Sequence, residues 1–500
     1  MWSQKNSQGF ESRKCRDRNL QYLQGKTIFD LGCGNEKVVP TAIGIDLVSP
    51  IANLQLDLSN SQSMLVFNAD IADAVFSSHT LEHFYDTEGI LRAWWRVLKP
   101  GGYLILYLPC KGLYPLDGNP EHKHEFLPED ILTILDKFTS YKLIKNEMHN
   151  EDNEYSFELV VQKISSPGQV IIKSNTKKCL VIRYGAMGDM ITITPLLKAL
   201  KDDDYEVHLV CTPRTAGIEN NPNIDYVYMQ ERDVIPSCQL TEYHKIISQG
   251  YDKVINLCGS IESSLLFEST SDKYFLPHEE RHKTANINYY DRTLELGGYP
   301  NIKGMNGEVY LTESEKLLLN VWQKNHAGFF KILWQVRGSS EHKIYPYISD
   351  IADELLAAHD DIRVFLVGGI ETQVIDWVHP NIRNCIGKWN ERQALIMTSA
   401  ADLVISPESG ILNAAGCFDT PKIGLLTHSS RENLTKYFIN DYSIESDVEC
   451  APCHRLVHKV SECKVGGEIG LPICMERGLP QEEVMKRIMT VYLKWKASKL

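Results

Sequence analysis

The stretch CLVIRYGAMGDMITITPLLKAL, residues Cys179–Leu200, decides the fold because it places a strand, a tight turn and a helix in about one βα unit. Its first residues, Cys179–Arg183, are largely apolar and rich in branched side chains, which is typical of a strand buried on both faces of a parallel sheet. Gly185 and Gly188 end that strand. A glycine turn lets backbone amides approach a bound group closely, and the next helix presents unpaired N–H groups there. The stretch therefore predicts an anion site that would fit a diphosphate.

Asp189 follows this glycine turn. Thr194 and Pro195 are typical of a helix start, with a capping hydroxyl and a first-turn proline. We therefore expect the regular helix to begin there and Asp189 to lie in a loop that points into a cleft. A carboxylate at such a position is either a general base or a turn residue bonded to its own backbone, and on spacing alone the turn residue is the more common of the two.

Two segments of this stretch carry a family resemblance. IRYGAMGD at residues 182–189 and TPLLKAL at residues 194–200 resemble the opening of the heptosyltransferase family, glycosyltransferase family nine, which transfers ADP-heptose and related sugars. The resemblance concerns roughly the last two-thirds of the chain. It implies a GT-B fold of two Rossmann-like halves with the active site between them, inverting chemistry, and Asp189 as the base that deprotonates the acceptor hydroxyl.

The composition sets limits on the class of protein. The chain has 500 residues and a net charge of −13, which favours about three domains and argues against nucleic acid as the main partner. Its N-terminus lacks the apolar core of a signal peptide, and no run of about 18 apolar residues occurs, so we expect no transmembrane segment and a cytoplasmic protein. Most of the 13 cysteines lie singly in apolar strands, where reduced thiols are the default.

The N-terminal third begins with a short predicted strand that ends in DLGCG, Asp30–Gly34. A second strand is predicted at Ala42–Asp46, and only Asn35–Thr41 separates the two, which is too short for a full helix. Glycines after the first strand let the backbone approach a cofactor, and an acid at the tip of the second can hold two ribose hydroxyls. The pattern indicates a nucleotide-like cofactor.

Two later motifs make this interpretation specific. FSSHTLEH at Phe76–His83 and RVLKPGG at Arg96–Gly102, with the first two strands, resemble a class I S-adenosylmethionine-dependent methyltransferase over about residues 25–163. The resemblance implies that the cofactor-binding residues are Asp30, Gly32 and Gly34 around the methionine part, Asp46 on the ribose, Asp57 near the adenine, and His79 beside the sulfonium.

The same region departs from the family pattern. Glu36 replaces the usual third glycine of the first motif. Methyl transfer to oxygen or nitrogen needs chiefly alignment and at most one base, which His122 or His124 could supply. The alternative is that these histidines only line the acceptor side, and His83 is expected to be a structural hydrogen-bonding residue.

Residues 164–178 are polar and carry Pro167 and Gly168, which predicts a linker. Beyond it, strands are predicted at Glu206–Cys211, Tyr226–Met229 and Lys253–Asn256, and their alternation with helices predicts a doubly wound parallel sheet. Residues 265–288 look less regular.

The second half of the transferase-like region contains two further motifs. A predicted strand at Lys331–Arg337 precedes GSSEHK, Gly338–Lys343, and ADLVISPESGILNAA occupies Ala401–Ala415. A serine hydroxyl can donate to a phosphate, and a lysine can neutralise one. The resemblance implies that Lys343 stabilises the leaving diphosphate and that the nucleotide sugar contacts Gly188, Ser339, Ser340, Glu408, Ser409, Gly410 and Asn413. Asn413 stands where the family has a histidine, and this leaves the identity of the sugar open.

Four late cysteines, Cys450, Cys453, Cys463 and Cys474, form a sequence cluster that fits a structural zinc site, although a second C-x-x-C pair is missing. No catalytic metal is expected, because Lys343 and backbone amides can stabilise a leaving diphosphate. The last segment, Pro480–Leu500, is predicted to be an amphipathic helix that packs back on the transferase.

The sequence thus predicts an α/β protein with a Rossmann-like methyltransferase domain at 1–163, a linker at 164–178, and GT-B halves at 179–325 for the acceptor and 326–500 for the donor. The leading hypothesis is a bifunctional enzyme that uses S-adenosylmethionine and a nucleotide-diphosphate sugar. Its acceptor would be a glycan or a lipid-linked glycan, reached by a protein peripheral at the membrane. The alternatives are a glycosyltransferase with a degenerate methyltransferase-like binding module, and a nucleotide-sugar epimerase on the same fold.

Overall fold

The computed structural model describes residues 10–25, 27–67, 69–114, 121–151, 154–164, 177–230, 239–259, 264–340, 343–369, 379–457, 463 and 466–499. Most of the predicted linker, residues 165–176, lies outside this set. By the density of internal contacts the chain divides into two compact units, residues 1–177 with 230–252, and residues 178–229 with 253–500.

The strands, in chain order, are β1 (Ile28–Leu31), β2 (Ile43–Ile45), β3 (Ala72–Ser78), β4 (Leu98–Pro109), β5 (Tyr141–His149), β6 (Ser156–Lys163), β7 (Lys177–Arg183), β8 (Tyr205–Cys211), β9 (Tyr226–Met229), β10 (Lys253–Asn256), β11 (Phe330–Gln335), β12 (Ile362–Val367), β13 (Ile382–Asn384), β14 (Leu403–Pro407), β15 (Lys422–Leu426) and β16 (Ile444–Glu445).

The α-helices are α1 (Phe10–Asn19), α2 (Thr87–Val97), α3 (Pro128–Asp136), α4 (Met187–Thr192), α5 (Thr194–Asp202), α6 (Leu240–Ile247), α7 (His278–Ala285), α8 (Tyr289–Leu296), α9 (Glu313–Asn325), α10 (Ile348–Ala358), α11 (Glu391–Met397), α12 (Gly410–Gly416), α13 (Ile473–Glu476) and α14 (Gln481–Ala497). Short 3₁₀ helices occur at Ser61–Val66, Leu81–His83 and Asp272–Phe275.

The first unit is built on one sheet with the strand order β2-β1-β3-β4-β6-β5. Strands β1 to β4 pair in parallel, whereas β6 pairs antiparallel with both β4 and β5. Apolar side chains of β1, β3, β4 and β6, including Ile28, Phe76, Ile105 and Val160, form a buried cluster. The carboxyl ends of β1 and β3 therefore lie side by side, which is where parallel sheets carry their ligand sites.

The second unit contains two sheets. One has four strands in the order β10-β7-β8-β9, and the other has six in the order β13-β12-β11-β14-β15-β16. All pairs recorded in the six-stranded sheet are parallel. The predicted α/β architecture, with one Rossmann-like domain followed by two Rossmann-like halves, is confirmed.

The two halves of the second unit meet where α4 packs against α12. A Cβ atom built on Gly188 would lie 2.9 Å from Asn413 Nδ2 and 3.3 Å from Gly410 Cα, and one built on Gly410 would lie 3.2 Å from the Gly188 amide nitrogen. Met187 and Ile191 of α4 share a buried cluster with residues of the six-stranded half. Because neither glycine has a side chain, the loops that follow β7 and β14 can approach each other closely.

Two sequence predictions need correction. Asp189 does not lie in a loop, since it falls in the first turn of the short helix α4, before the helix α5 that begins at Thr194 as expected. Residues 265–288, predicted to be irregular, contain α7. The predicted C-terminal helix is confirmed, and its buried side chains Val484, Ile488 and Val491 join the core of the six-stranded half.

No helix in the described part of the chain combines the length and the apolar character needed to traverse a bilayer.

Candidate functional site

Asp189 is held in place by the strand and the turn that precede it. The buried Arg183 guanidinium donates to Asp189 Oδ1 at 2.7 Å, and the Ala186 N–H donates to Oδ2 at 2.7 Å. A Cβ atom on Gly185 would lie only 2.6 Å from the Asp189 Cβ, so the glycine makes room for this carboxylate. About a third of the side chain, 36%, stays exposed. Each carboxylate oxygen can accept more than one hydrogen bond, so Asp189 can still receive a substrate hydroxyl.

Lys343 approaches Asp189 from the other half of the second unit. Its loop closes through backbone hydrogen bonds from Gly338 N–H to the Lys343 carbonyl and from Lys343 N–H to the Ser340 carbonyl, each 3.1 Å long. Burial lowers the pKa of Lys343, whereas the charges of Glu408 and Asp189 act in the opposite direction. The ammonium group therefore lies within electrostatic reach of both carboxylates. Of the two serines of the loop, Ser340 is buried and Ser339 is exposed.

Glu408 is a buried carboxylate that is completely surrounded by donors. It accepts the Ser429 N–H at 2.7 Å and the Thr427 N–H at 3.2 Å, and also the Thr427 hydroxyl, the His428 N–H and His428 Nδ1. Burial alone would raise its pKa, but the His428 ring, Lys343 and the amides lower the pKa of Glu408 to about 2. These contacts indicate that Glu408 orders the loop after β15.

The remaining predicted donor-binding residues lie at the start of α12. The Ser409 hydroxyl caps this helix by accepting the Ile411 N–H at 3.2 Å and also bonds to Ser406 Oγ. Asn413 Nδ2 donates to the Ser409 carbonyl at 3.1 Å, while its buried Oδ1 has no hydrogen-bond partner among the described residues. Since Gly188 lies against Asn413, that oxygen is an acceptor beside the glycine turn.

The first unit has its own glycine turn at the carboxyl end of β1. Gly32 and Gly34 have φ angles of +78° and +52°, which favour glycine, and a Cβ atom on Gly32 would lie 2.0 Å from Thr80 Oγ1. Asp30, at the end of the strand, is 2% exposed and accepts one hydrogen bond, from the Val38 N–H at 2.6 Å. Burial raises the pKa of Asp30 to about 7.

A cavity of about 450 Å³ opens over this turn. Four of the predicted cofactor residues, Asp30, Gly32, Gly34 and His79, line it. The other two carboxylates are engaged by nearby backbone amides: Asp46 accepts N–H groups of Gly34, Val48 and Ser49, and Asp57 accepts the N–H and hydroxyl of Ser59. Neither belongs to the described residues that line the cavity, although Asp46 touches its edge through Gly34.

Glu36 faces the same cavity and is paired with arginines of the N-terminal helix. Arg13 and Arg16 of α1 both contact its carboxylate, and the Ser12 hydroxyl lies 2.7 Å from Ser78 Oγ. The charge that replaces the third glycine is thus balanced within the wall of the cavity.

Residues 29–106 match the family model described as "Methyltransferase domain". The N-terminal unit carries a methyltransferase domain. A malonyl-[acyl-carrier protein] O-methyltransferase from Marinomonas sp. (strain MWYL1) is similar to this chain, with 24% identity over 239 residues that cover 40% of the chain and 84% of that protein.

Solved structures are similar to the larger part of the chain. A glycosyl transferase family 9 protein from Veillonella parvula shares 15% identity at a TM-score of 0.47, covering 64% of this chain and 98% of that one. ADP-heptose LPS heptosyltransferase II from E. coli shares 15% identity at a TM-score of 0.46, covering 64% and 100%.

Three histidines, His79, His83 and His122, line the methyltransferase cavity. His79 has a φ angle of +49°, and its Nε2 lies 3.3 Å from Ser156 Oγ and 3.5 Å from a Glu11 oxygen. Burial lowers the pKa of His79, but Glu11 and Glu82 raise it above its usual value. Of the two candidate bases, His122 lines the cavity, whereas His124 Nε2 lies 3.2 Å from the Tyr85 carbonyl, away from the described lining.

The four late cysteines lie in one region of the second unit. Burial raises the pKa of the Cys450 and Cys474 thiols and raises that of Cys453 to about 12, and the neighbouring cysteines of the cluster act in the same direction. Among the described residues, no three of these cysteines bring their sulfur atoms within 4.8 Å of one another.

Sequence reasoning missed residues that act through others. Arg183, which positions Asp189, stands inside the quoted IRYGAMGD motif, and His428, which pairs with Glu408, has no motif of its own. Glu82 stands in the LEH motif next to His83 and received no role. Glu82 is buried, and its carboxylate accepts no hydrogen bond from the described residues. The fold creates this environment, so the sequence alone does not reveal it.

Proposed function

We propose that this chain combines two group transfers, methyl transfer from S-adenosylmethionine in the N-terminal unit and inverting glycosyl transfer from a nucleotide-diphosphate sugar in the second. The glycosyl acceptor is a glycan or a lipid-linked glycan. The protein works in the cytoplasm and approaches the membrane only peripherally. We propose domain limits after residues 163, 178 and 325, although residues 230–252 group with the first unit by their contacts.

The glycosyl transfer is a direct displacement at the anomeric carbon. The acceptor oxygen forms the new C–O bond while the bond to the nucleoside diphosphate breaks, and Asp189 takes the hydroxyl proton. Lys343 neutralises the charge that develops on the departing diphosphate. Arg183 and the Ala186 amide keep Asp189 oriented.

The observation that carries this proposal is the electrostatic interaction between Asp189 and Lys343, which belong to opposite halves of one unit. The charge of Asp189 raises the pKa of Lys343, and the packing of Gly188 against Gly410 and Asn413 brings the loop after β7 against the half that carries Lys343. A base on one side and a cation on the other is the arrangement that displacement of a diphosphate requires.

The test is the Asp189→Ala variant. Sugar transfer should fall by about 100-fold or more, the usual range for loss of a general base, while donor binding persists. Donor binding is followed by thermal stabilisation with a panel of nucleotide sugars, since a bound ligand raises apparent stability by mass action. Unchanged turnover in Asp189→Ala would refute the base role.

The methyltransferase cavity fits S-adenosylmethionine in three respects. Its glycine turn is open, because a Cβ atom on Gly34 would meet nothing within 4 Å. Asp30 accepts a single hydrogen bond and can receive the methionine ammonium, and His79 also lines the cavity. When bound, the cofactor supplies an electrophilic methyl group, and the residues of the chain align the acceptor with it.

A binding module without methyl transfer is the second candidate, because Glu36 and its arginines occupy part of the cavity wall. Calorimetry on the full chain tests whether it binds S-adenosylmethionine at all. If no binding is detected, the methyltransferase proposal is refuted. Binding without methylation of any acceptor fraction would favour the module.

A further inference from the structure

One corner of the methyltransferase cavity holds three ligand-type side chains that the proposed function leaves unused. Glu82, His83 and His122 each direct one nitrogen or oxygen atom into a space where all three atoms lie within 4.8 Å of one another. All three line the cavity. We call them the Glu82 cluster.

Glu82 is the unusual member of this cluster. Its residue is 1% exposed, and neither carboxylate oxygen has a hydrogen-bond partner among the described residues. A buried carboxylate without donors is costly, so such groups are normally paired or coordinate a metal. His79 Nδ1 lies nearby, at 3.6 Å from Oε1, which is too far for a hydrogen bond.

His83 is oriented as metal-ligating histidines usually are. Its Nδ1 lies 3.3 Å from the Glu121 carbonyl oxygen. Because a carbonyl only accepts, Nδ1 carries the hydrogen, and Nε2 keeps its lone pair. That Nε2 faces Glu82 Oε1 at 4.0 Å. A backbone carbonyl on the far nitrogen is the common outer partner of a ligating imidazole.

The backbone fixes His122 opposite this pair. The Glu82 carbonyl accepts the Lys123 N–H at 2.7 Å and the His124 N–H at 3.1 Å, so the segment that carries His122 is bound to the Glu82 turn. His122 Nε2 lies 4.0 Å from Glu82 Oε1. Ligand atoms at about 2.0–2.1 Å from a tetrahedral ion are about 3.3 Å apart, so a small contraction would complete the site.

We propose that the Glu82 cluster binds a divalent transition-metal ion of the zinc class. Two imidazole nitrogens and one carboxylate oxygen suit such an ion, and three protein ligands leave one coordination position open toward the cavity. The role of the ion, to bind an oxygen atom of the methyl acceptor, rests on the proposed methyl transfer. Ion binding itself does not.

The experiment is a metal titration of the full chain after removal of metal with a chelator, in the absence of S-adenosylmethionine. Zn²⁺ binding is measured by calorimetry, and Co²⁺ is used as a spectroscopic probe, because thiolate charge-transfer bands report the late cysteines separately from a nitrogen and oxygen site. The variants are Glu82→Gln and His122→Gln. The matched control is His124→Gln, two residues away and bonded to the Tyr85 carbonyl.

We expect the wild type and His124→Gln to bind one more equivalent of ion than Glu82→Gln and His122→Gln, with Co²⁺ bands free of thiolate character. His122 lies between the exposed Glu121 and Lys123, and His122→Gln tests the site independently of any effect of Glu82→Gln on folding. Equal stoichiometry in all four proteins would overturn the proposal and leave Glu82 to pair with His79. If the extra equivalent appears but S-adenosylmethionine does not bind in a separate titration, the metal site stands and the methyltransferase proposal falls.

Discussion

Two buried glutamates, one in each unit, show how differently the two regions treat the same side chain. Glu408 follows β14 in the second unit and Glu82 follows β3 in the first, and both are almost inaccessible to solvent. Glu408 accepts hydrogen bonds from residues 427–429, whereas Glu82 accepts none from the described residues. The pKa of Glu408 falls to about 2, and burial raises that of Glu82.

Asp30 lies between these extremes. It is as buried as the glutamates but accepts one hydrogen bond, and its pKa rises to about 7. The series teaches that burial alone does not identify a functional acid. A carboxylate whose oxygens are saturated by the protein stabilises the fold, and one with unused oxygens is available to a ligand.

The largest expected effect is loss of the Glu408 network. Glu408→Gln should lower the free energy of unfolding by about 3–5 kcal/mol, because the amide has one acceptor oxygen for several donors and leaves buried amides unpaired. Urea unfolding measures this. The control is Glu313→Gln, whose side chain is 90% exposed and should change stability by about 0.5 kcal/mol or less. Equal effects at both positions would contradict the structural role of Glu408.

The same network predicts a pH dependence. Since the pKa of Glu408 is lowered from 4.5 to about 2, its contribution is fully present above pH 4.5 and is lost as the pH falls through about 2. The shift corresponds to about 3 kcal/mol. The difference in the free energy of unfolding between the wild type and Glu408→Gln should therefore be largest near neutral pH and become smaller as the pH falls. A difference that stays constant from pH 7 to acid, measured by urea unfolding over about five pH values, would show that the carboxylate charge is not involved.

Asp30 gives a smaller effect, on cofactor binding. Its pKa of about 7 means that the ionised form, which attracts the methionine ammonium, grows as the pH rises through that value. Affinity for S-adenosylmethionine should be about tenfold higher near pH 8 than near pH 6, about 1.4 kcal/mol. Calorimetry at both pH values measures it. Asp30→Asn keeps an acceptor for the Val38 amide and should lose the pH dependence; a retained dependence would assign it to another group.

Much of the fold could be predicted from the sequence, because it depends on local patterns. The strands Tyr226–Met229 and Lys253–Asn256 were predicted with the bounds that the structure shows, and the turn after β1 was recognised from its glycines. Buried parallel strands read as short apolar runs between turn signals, which needs no information from distant parts of the chain.

The contacts that decide the roles of side chains could not be predicted in this way. Thr194 and Pro195 give a strong helix start and therefore predict a loop at Asp189, yet the hydrogen bond from the Ala186 amide to Asp189 allows a short helix before Thr194. Whether a glutamate in a motif meets donors depends on a segment folding back on it, as residues 427–429 do for Glu408. Motif spacing carries no information on that event, so Glu408 and Glu82 could not be told apart.

The smallest expected effect is that of Glu82→Gln, which should raise the free energy of unfolding where Glu408→Gln lowers it. In metal-free protein, Glu82→Gln replaces a buried carboxylate that accepts no hydrogen bond from the described residues and whose pKa burial raises, so the free energy of unfolding should rise by about 1 kcal/mol. The exposed Glu125→Gln is the matched control. At saturating Zn²⁺ the wild type should instead be more stable than Glu82→Gln, because an ion bound only to the folded wild type stabilises it by mass action. Urea unfolding with and without Zn²⁺ measures the change in stability under both conditions. If Glu82→Gln lowered the free energy of unfolding of the metal-free protein as much as Glu408→Gln does, Glu82 would have stabilising partners within the protein.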